Sequence, residues 1–326
     1  MAKLNLKFKR KNKIQSKSIA GSIFYGFIAL FLIIFTIILT FFILWCVLSS
    51  LKSGWDLEEG NYFGLPNLKD YPGHNLFSNF NAILFNFKIQ TGDITYQSAL
   101  FGEITTPTRW VGFSEMLFNT LVYAGFGALF QSVLPAIVAF MLCKYRFKIS
   151  KIFYAIALIV YIIPIVGNYP AMITLMRNLG LYNTLYGSLI QKFNFFGMYF
   201  FVFYAYFENY SDSYLEAAEI DGASQLKCLT HIALPMASKL ITTVFLISFV
   251  NLWNDYQSPL LYMPSYPTLS YAIYLLCTLS AGNLSITVTT TMKFAGLICS
   301  CFPIVMLFIF LKDKLMTNLS LGGVKE

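Results

Sequence analysis

The sequence predicts an all-α, polytopic membrane protein with six transmembrane helices and both termini in the cytoplasm. Three observations carry this. Hydrophobic residues make up 57% of the 326 and charged residues only 12%, about half the charged share of a soluble domain. Uncharged runs recur at lengths that cross a bilayer, for which roughly 20 apolar residues suffice. Basic residues collect in loops that alternate with the runs, and such loops face the cytoplasm. With a mean hydropathy of +0.64, the composition excludes a disordered chain, a coiled coil and most soluble enzymes. The net charge of +8 is explained by its position along the chain, and no nucleic-acid partner is expected.

A basic tail, residues 1–17, holds seven Lys and Arg and no acid, which marks it as cytoplasmic. The first helix is expected over 18–48, inside an uncharged run of 34 residues, 18–51. That run is too long for the apolar core of a signal peptide, and Trp45-Cys46-Val47-Leu48-Ser49 offers no convincing small-residue cleavage site. A long extracytoplasmic loop follows over 49–112, with four bases against six acids. A core over 113–311 contains the remaining spans. Uncharged runs of 28 residues (116–143), 25 residues (152–176) and 18 residues (294–311) supply three of them. Another runs from about 183 to 207 with Lys192 inside it, and another from Lys239 to Asp255. Lys144, Arg146, Lys148 and Lys151 make the loop after the second span cytoplasmic, and Lys312 and Lys314 do the same for a tail over 312–326.

The uncharged stretch 256–292 could hold a seventh span. It is rich in Ser, Thr, Asn, Pro and Tyr, and a seventh span would place Lys312 and Lys314 outside. It is read as an outer loop with a shallow helix near 269–279. Pro164, Gly167 and Pro170 predict a kink in the third span, which could also serve as a hinge.

The chemistry that is missing narrows the function. His74 and His231 fall on opposite sides of the membrane, which argues against a histidine metal cluster or triad. The six cysteines include no CxxC pair, and none lies in 49–112. No GxxxxGK[ST] phosphate loop occurs. Ion-coupled carriers place ionisable groups at mid-membrane; here only Lys192, Asp255 and Lys293 are candidates, and the last two lie near outer ends. No cofactor is expected in this chain, and a partner must supply the energy.

The cytoplasmic loop over 208–236 is unlike the others. Ser213 and Glu216 have capping-box spacing, so a helix is expected from Tyr214. Gly222 can close it with a left-handed residue, and Ser224 can cap a second helix through Leu226, Leu229 and Ile232 as far as Leu234-Pro235. The tip is acidic (Glu216, Glu219, Asp221), and Ala217 and Ala218 allow close approach. By spacing alone an amphipathic linker fits as well.

The longer pattern is Glu216-Ala217-Ala218, three residues, Gly222, nine residues, Ile232, one residue, Leu234-Pro235. It resembles the EAA loop of ATP-binding-cassette importer permeases. Asn119-Thr120-Leu121, Lys144-Tyr145-Arg146-Phe147, Leu179-Gly180-Leu181-Tyr182-Asn183-Thr184 and Trp253-Asn254-Asp255 are similar to motifs of the carbohydrate-importer permeases. Gly322-Gly323-Val324-Lys325 resembles the ending of a maltose-type subunit. The resemblance covers roughly 113–326. It implies the type I importer permease fold in a bacterial inner membrane. It also implies a second homologous permease, two ATPase subunits holding ATP and Mg²⁺, and an extracytoplasmic solute-binding protein. Glu216, Ala217, Ala218, Asp221, Gly222, Ile232, Leu234 and Pro235 would then form the coupling element that seats in the ATPase. The cargo would be a sugar or oligosaccharide; another organic solute, such as a glycerophosphodiester or polyamine, stays open. A membrane scaffold or secondary carrier is the reading from another class, and neither an inverted repeat nor a mid-span acid favours it.

Pathway candidates are Lys192, Asn194, Asn251, Trp253, Asn254 and Asp255. Lys192, between Gln191 and Asn194, either faces a watery pathway or anchors at the outer interface. Trp253, Asn254 and Asp255, with Asn251 a turn away, form either a structural cluster near the mouth or a sugar contact. The aromatics of 49–112 suggest a cap that covers the partner permease or docks the binding protein. The loop 278–290, with Asn283, corresponds to one that reaches the binding protein in maltose-type permeases.

Overall fold

The computed structural model describes residues 19–67, 73, 75–145, 149–163, 167–209, 211–278 and 284–319. The basic tail 1–17, His74, Arg146, Lys148, Pro164, Asn283 and Gly322 to Lys325 lie outside the described residues. The chain is mostly helical, but four short strands correct the all-α expectation.

Helix α1 (Ile19–Ser50) is a 32-residue apolar rod that packs within the chain mainly along the last helix and leaves nearly all its large side chains exposed. Residues 49–112 fold into a cap. Short helices α2 (Gly54–Glu58) and α3 (Ser78–Asn81, running into a π-helical turn Ala82–Asn86) precede β1 (Lys88–Thr91), β2 (Ile94–Ser98), β3 (Gly102–Thr106) and β4 (Arg109–Gly112). β2 and β3 form an antiparallel hairpin, and β1 pairs antiparallel with β4. Alternating burial along β1 fits a strand with one covered face. Under the cap, a fully buried Lys52 donates to Asn61 O (2.6 Å), and Asn79 donates to Ser50 O and Lys52 O. Burial pushes the Lys52 ammonium pKa down, and Asp56 opposes that shift.

Helix α4 (Phe113–Lys144) is the central mast. Its 32 residues extend about 48 Å at 1.5 Å per residue, from the cap to the opposite end of the molecule. α5 (Ser150–Ile162) and α6 (Tyr169–Asn178) follow. The predicted kink in the third span is a full break, with Gly167 at φ +75 and Pro170 in the first turn of α6, where its missing N–H costs little. The fourth span is also two helices: α7 (Leu185–Gln191) ends at Lys192, and α8 (Met198–Glu208) starts after an irregular link.

A helical knob comes next: α9 (Ser213–Ile220), α10 (Gln225–Cys228), a π-helical turn (Leu229–Ala233) and α11 (Leu234–Met236). α12 (Ser238–Asn254) then turns away from the preceding helical stretch by 69°. The stretch 256–292 does not cross as one helix. It holds α13 (Gln257–Tyr262) and α14 (Leu269–Thr278), one more short helix than predicted. α15 (Thr290–Leu319) closes the described chain. By length and composition α1, α4 and α15 are able to cross a membrane, and the bent pair ending in α12 is a fourth candidate.

One core gathers α4, α12, α14 and the cap around Tyr123, Phe249 and Trp253. A second packs the far half of α4 on α8 and the knob around Phe140, Phe203 and Phe207. A third seats the β2–β3 hairpin on the chain after α6, where Tyr96 meets Tyr182 edge to face at 5.3 Å. Tyr96 Oη donates to Tyr182 O and Ser98 Oγ to Asn178 O, both at 3.0 Å.

Candidate functional site

The knob is built from its turns. Gly222 has φ +79, a left-handed conformation that L side chains resist. Its N–H donates to Glu219 O, and Ala223 N–H reaches Ala218 O (2.9 Å), closing α9. Ser224 Oγ then accepts from Lys227 N–H and starts α10, as expected. The expected capping box at Ser213 does not form. α9 begins one residue earlier, with Asp212 at the cap in helical backbone and no side-chain cap bond. The Asp212 carboxylate instead accepts from Lys144 Nζ at 2.5 Å, tying the knob to the end of α4. Ser213 Oγ pairs with Ser211 Oγ.

Two tyrosines that sequence reasoning missed also hold the knob. Tyr145 Oη donates to Gln225 O (3.0 Å) and Tyr206 Oη to Met236 O (2.9 Å). Tyr145 stood inside a noted motif, but nothing local pointed to its partner. Glu216, Ala217, Asp221, Gly222 and Pro235 are exposed, while Ala218, Ile232 and Leu234 are half-buried. No residue of α9 is buried, and Ile220 is 86% exposed at the tip. The surface is thus a short exposed helix with an apolar tip flanked in sequence by Glu216, Glu219 and Asp221. Leu234 N–H reaches back five residues to Leu229 O, a wide turn just before Pro235.

At the cap end, the structure brings together two pathway candidates that are distant in sequence. Lys192 Nζ lies 3.7 Å from Asp255 Oδ2 and donates to Ser258 Oγ at 3.3 Å. Tyr123 Oη donates to Asp255 Oδ2 (2.8 Å), and Ser258 N–H to Asp255 Oδ1 (2.9 Å). Tyr123 and Ser258 carried no sequence signal for this role. Trp253 is buried in the first core and donates from Nε1 to Ser300 O at 3.2 Å. Asn194, Asn251 and Asn254 do not join the cluster and are exposed. Asn251 lines an apolar groove of ≈ 560 Å³ between α12 and α15, with Ile247, Val250 and Ile304. Asn254 donates to Val250 O on its own helix.

The motif amides clamp the α13–α14 segment. Asn183, at φ 57, donates to Ser265 Oγ and accepts from Ser265 N–H, both at 2.9 Å. Asn119 Nδ2 donates to Pro267 O, and Thr120 Oγ1 accepts from Leu269 N–H. The Asn119-Thr120 and Asn183 motifs therefore shape the cap end of the helices.

An apolar helical bundle with a continuous mast, a helical knob at one end and a polar clamp at the other marks a multi-pass membrane protein. The family of binding-protein-dependent transport system inner membrane components matches residues 131–315, and the chain belongs to it. It is similar to the melibiose/raffinose/stachyose import permease protein MelC of Bacillus subtilis (strain 168), with 27% identity over 64% of this chain and 74% of that protein. It is also similar to a probable starch degradation products transport system permease protein, AmyC of Thermoanaerobacterium thermosulfurigenes, with 26% identity over 71% and 82%. A bacterial ABC transporter involved in the import of the acidic polysaccharide alginate has a chain of the same fold. That match has a TM-score of 0.68 and 22% identity, and covers 91% of this chain and 98% of that one.

Proposed function

We propose that this chain is one of the two permease subunits of a bacterial inner-membrane importer that moves an oligosaccharide, with a solute-binding protein outside and two ATPase subunits inside. The observation that carries the reading is the exposed helical knob on an apolar bundle whose sequence has no phosphate loop. The relatives named for oligosaccharide import support the cargo.

In this reading the chain crosses the membrane six times with both termini cytoplasmic. The third and fourth crossings are the broken pairs α5–α6 and α7–α8, and α13–α14 re-enters from outside without crossing. ATP and Mg²⁺ sit on the ATPases. Closure of the ATPases pulls the knob through Glu216, Ala217, Ala218, Asp221 and Gly222, while Ile232, Leu234 and Pro235 carry the motion to α12. The exposed face of α12 with Asn251 and Asn254 lines the pathway, where amides suit sugar hydroxyls. The bare apolar faces of α1 face lipid and the second permease. The cap, 49–112, meets the binding protein.

The test is uptake by proteoliposomes holding both permeases and the ATPase, supplied with the binding protein and labelled solutes. Accumulation of an oligosaccharide that depends on ATP and on the binding protein is expected. Accumulation of a glycerophosphodiester or a polyamine instead would overturn the cargo, and uptake without ATP would overturn the class.

A further inference from the structure

Lys192 and Asp255 each stand at a chain break. Lys192 closes α7, and helix resumes only at Met198. Asp255 follows the last residue of α12, and its carboxylate accepts from the first turn of α13 through Ser258 N–H. The two breaks meet over unbroken α4. Gly127 leaves a notch there, since a Cβ at that position would lie 3.6 Å from Lys192 Cγ and 2.7 Å from Leu252 Cδ1. The Lys192 stem lies over the notch, and its Nζ sits 5.2 Å from the ring centroid of Tyr123, one turn along α4. The ammonium thus has a carboxylate, a hydroxyl and an aromatic face, and the carboxylate has a cation, a phenol and a backbone N–H.

We propose that this cluster is the pivot of the transport cycle. It pins the α7–α8 and α12–α13 breaks to α4 in both the inward- and outward-facing states, so that α8 and α12 swing about it while the ion pair stays closed. The proposal rests on the reading of the chain as an importer permease.

Two physical arguments carry it. Parting a largely covered pair, whose side chains are 13% and 21% exposed, leaves each charge poorly solvated and alone, a penalty above the net worth of the contact, so a contact with this many partners is ill suited to opening in every cycle. Helix breaks absorb the backbone changes of a hinge, and a pin placed at the breaks fixes the axis without stiffening the arms. Lys192 and Asp255 are therefore positioning residues that do not touch the cargo. A latch would use the same residues but would have to open.

The experiment replaces both residues, Lys192→Cys with Asp255→Cys, in complexes whose native cysteines are changed to Ala or Ser, and bridges them with a short bifunctional thiol reagent. Stimulation of ATPase by loaded binding protein and solute uptake are read before and after bridging. A pivot predicts loss before bridging and recovery of both after it. Failure to recover, or recovery of ATPase without uptake, overturns the pivot.

A second measurement guards against misassembly. Lys192→Met alone should cut the maximal stimulated rate about tenfold while the binding-protein concentration for half-stimulation holds, and Lys192→Met with Asp255→Leu, whose longer apolar side chains close the contact that two Cys side chains leave open, should restore most of the rate at equal complex abundance. Equal damage in single and double variants overturns the proposal. The unmodified complex, run alongside, separates the two readings, since absence of stimulation there overturns the importer reading itself and the pivot with it.

Discussion

Gly222 concentrates the knob's geometry in one backbone torsion, φ +79, with open space around the position its Cβ would occupy. A substitution there is judged by backbone strain alone, with no steric clash. A left-handed backbone costs an L residue roughly 1–2 kcal/mol and a β-branched one more. Gly222→Val should therefore shift α10 against α9 and lower binding-protein-stimulated ATPase activity at least tenfold, whereas Gly222→Asn, which tolerates this conformation, should retain most of it. Equal loss in both would mean that the site needs space and not a torsion. Glu216 is exposed in the first turn of α9, so Glu216→Lys leaves the fold unstrained but places a cation at a helix N-terminus and on the docking surface. ATPase co-purification should fall severalfold while the permease pair stays intact in the membrane, as read by affinity pull-down.

At the scale of elements, the long helices were legible because their uncharged runs reach or approach a bilayer's width, and the α9–α10 turn because Gly and Ser mark it. The start of α9 was not. Asp212 is drawn to Lys144, 68 positions away, and with it the helix boundary moved one residue. The β2–β3 hairpin escaped for a similar reason, since the burial that holds it comes from α6, the 179–184 turn and α13. The β2–β3 hairpin can be tested at Tyr96, which is 6% exposed. Tyr96→Ala removes its ring and its bond to Tyr182 O, and should cost about 3 kcal/mol of stability, seen as a lower thermal midpoint of the purified complex. Tyr96→Phe keeps the ring and should cost about 1 kcal/mol. Burial pushes the Tyr96 phenol pKa up, Tyr186 and Tyr182 add to that, and Arg177 opposes it. With the folded pKa above the unfolded value of about 10, this contribution is fully present below that pH and is lost as pH rises through the folded pKa. Tyr96→Phe should therefore lose less stability than the parent between neutral and strongly alkaline pH.

At the scale of the whole molecule, apolar length marked the long helices α1, α4 and α15, but not that the segments over 152–176 and 183–207 are each broken into shorter helices or that Lys192 and Asp255 meet. A pair separated by 63 positions leaves no mark in local periodicity. Only the packing of α7 and α12 on the same stretch of α4 creates it. The same packing sets the two ends of the molecule apart along the mast of α4, whose 32 residues span about 48 Å, more than the roughly 30 Å of a hydrocarbon core. In the proposed topology, cap and knob then stand in water on opposite sides of the bilayer. Asn75 in the cap and Ser224 in the knob are both exposed, so burial cannot mask either. With the native cysteines replaced, Asn75→Cys should react with an impermeant thiol reagent in intact cells, and Ser224→Cys should react only after the membrane is opened. Labelling of both in intact cells would require the odd number of crossings between them to become even, and would remove the topology on which the knob's place beside the ATPase depends.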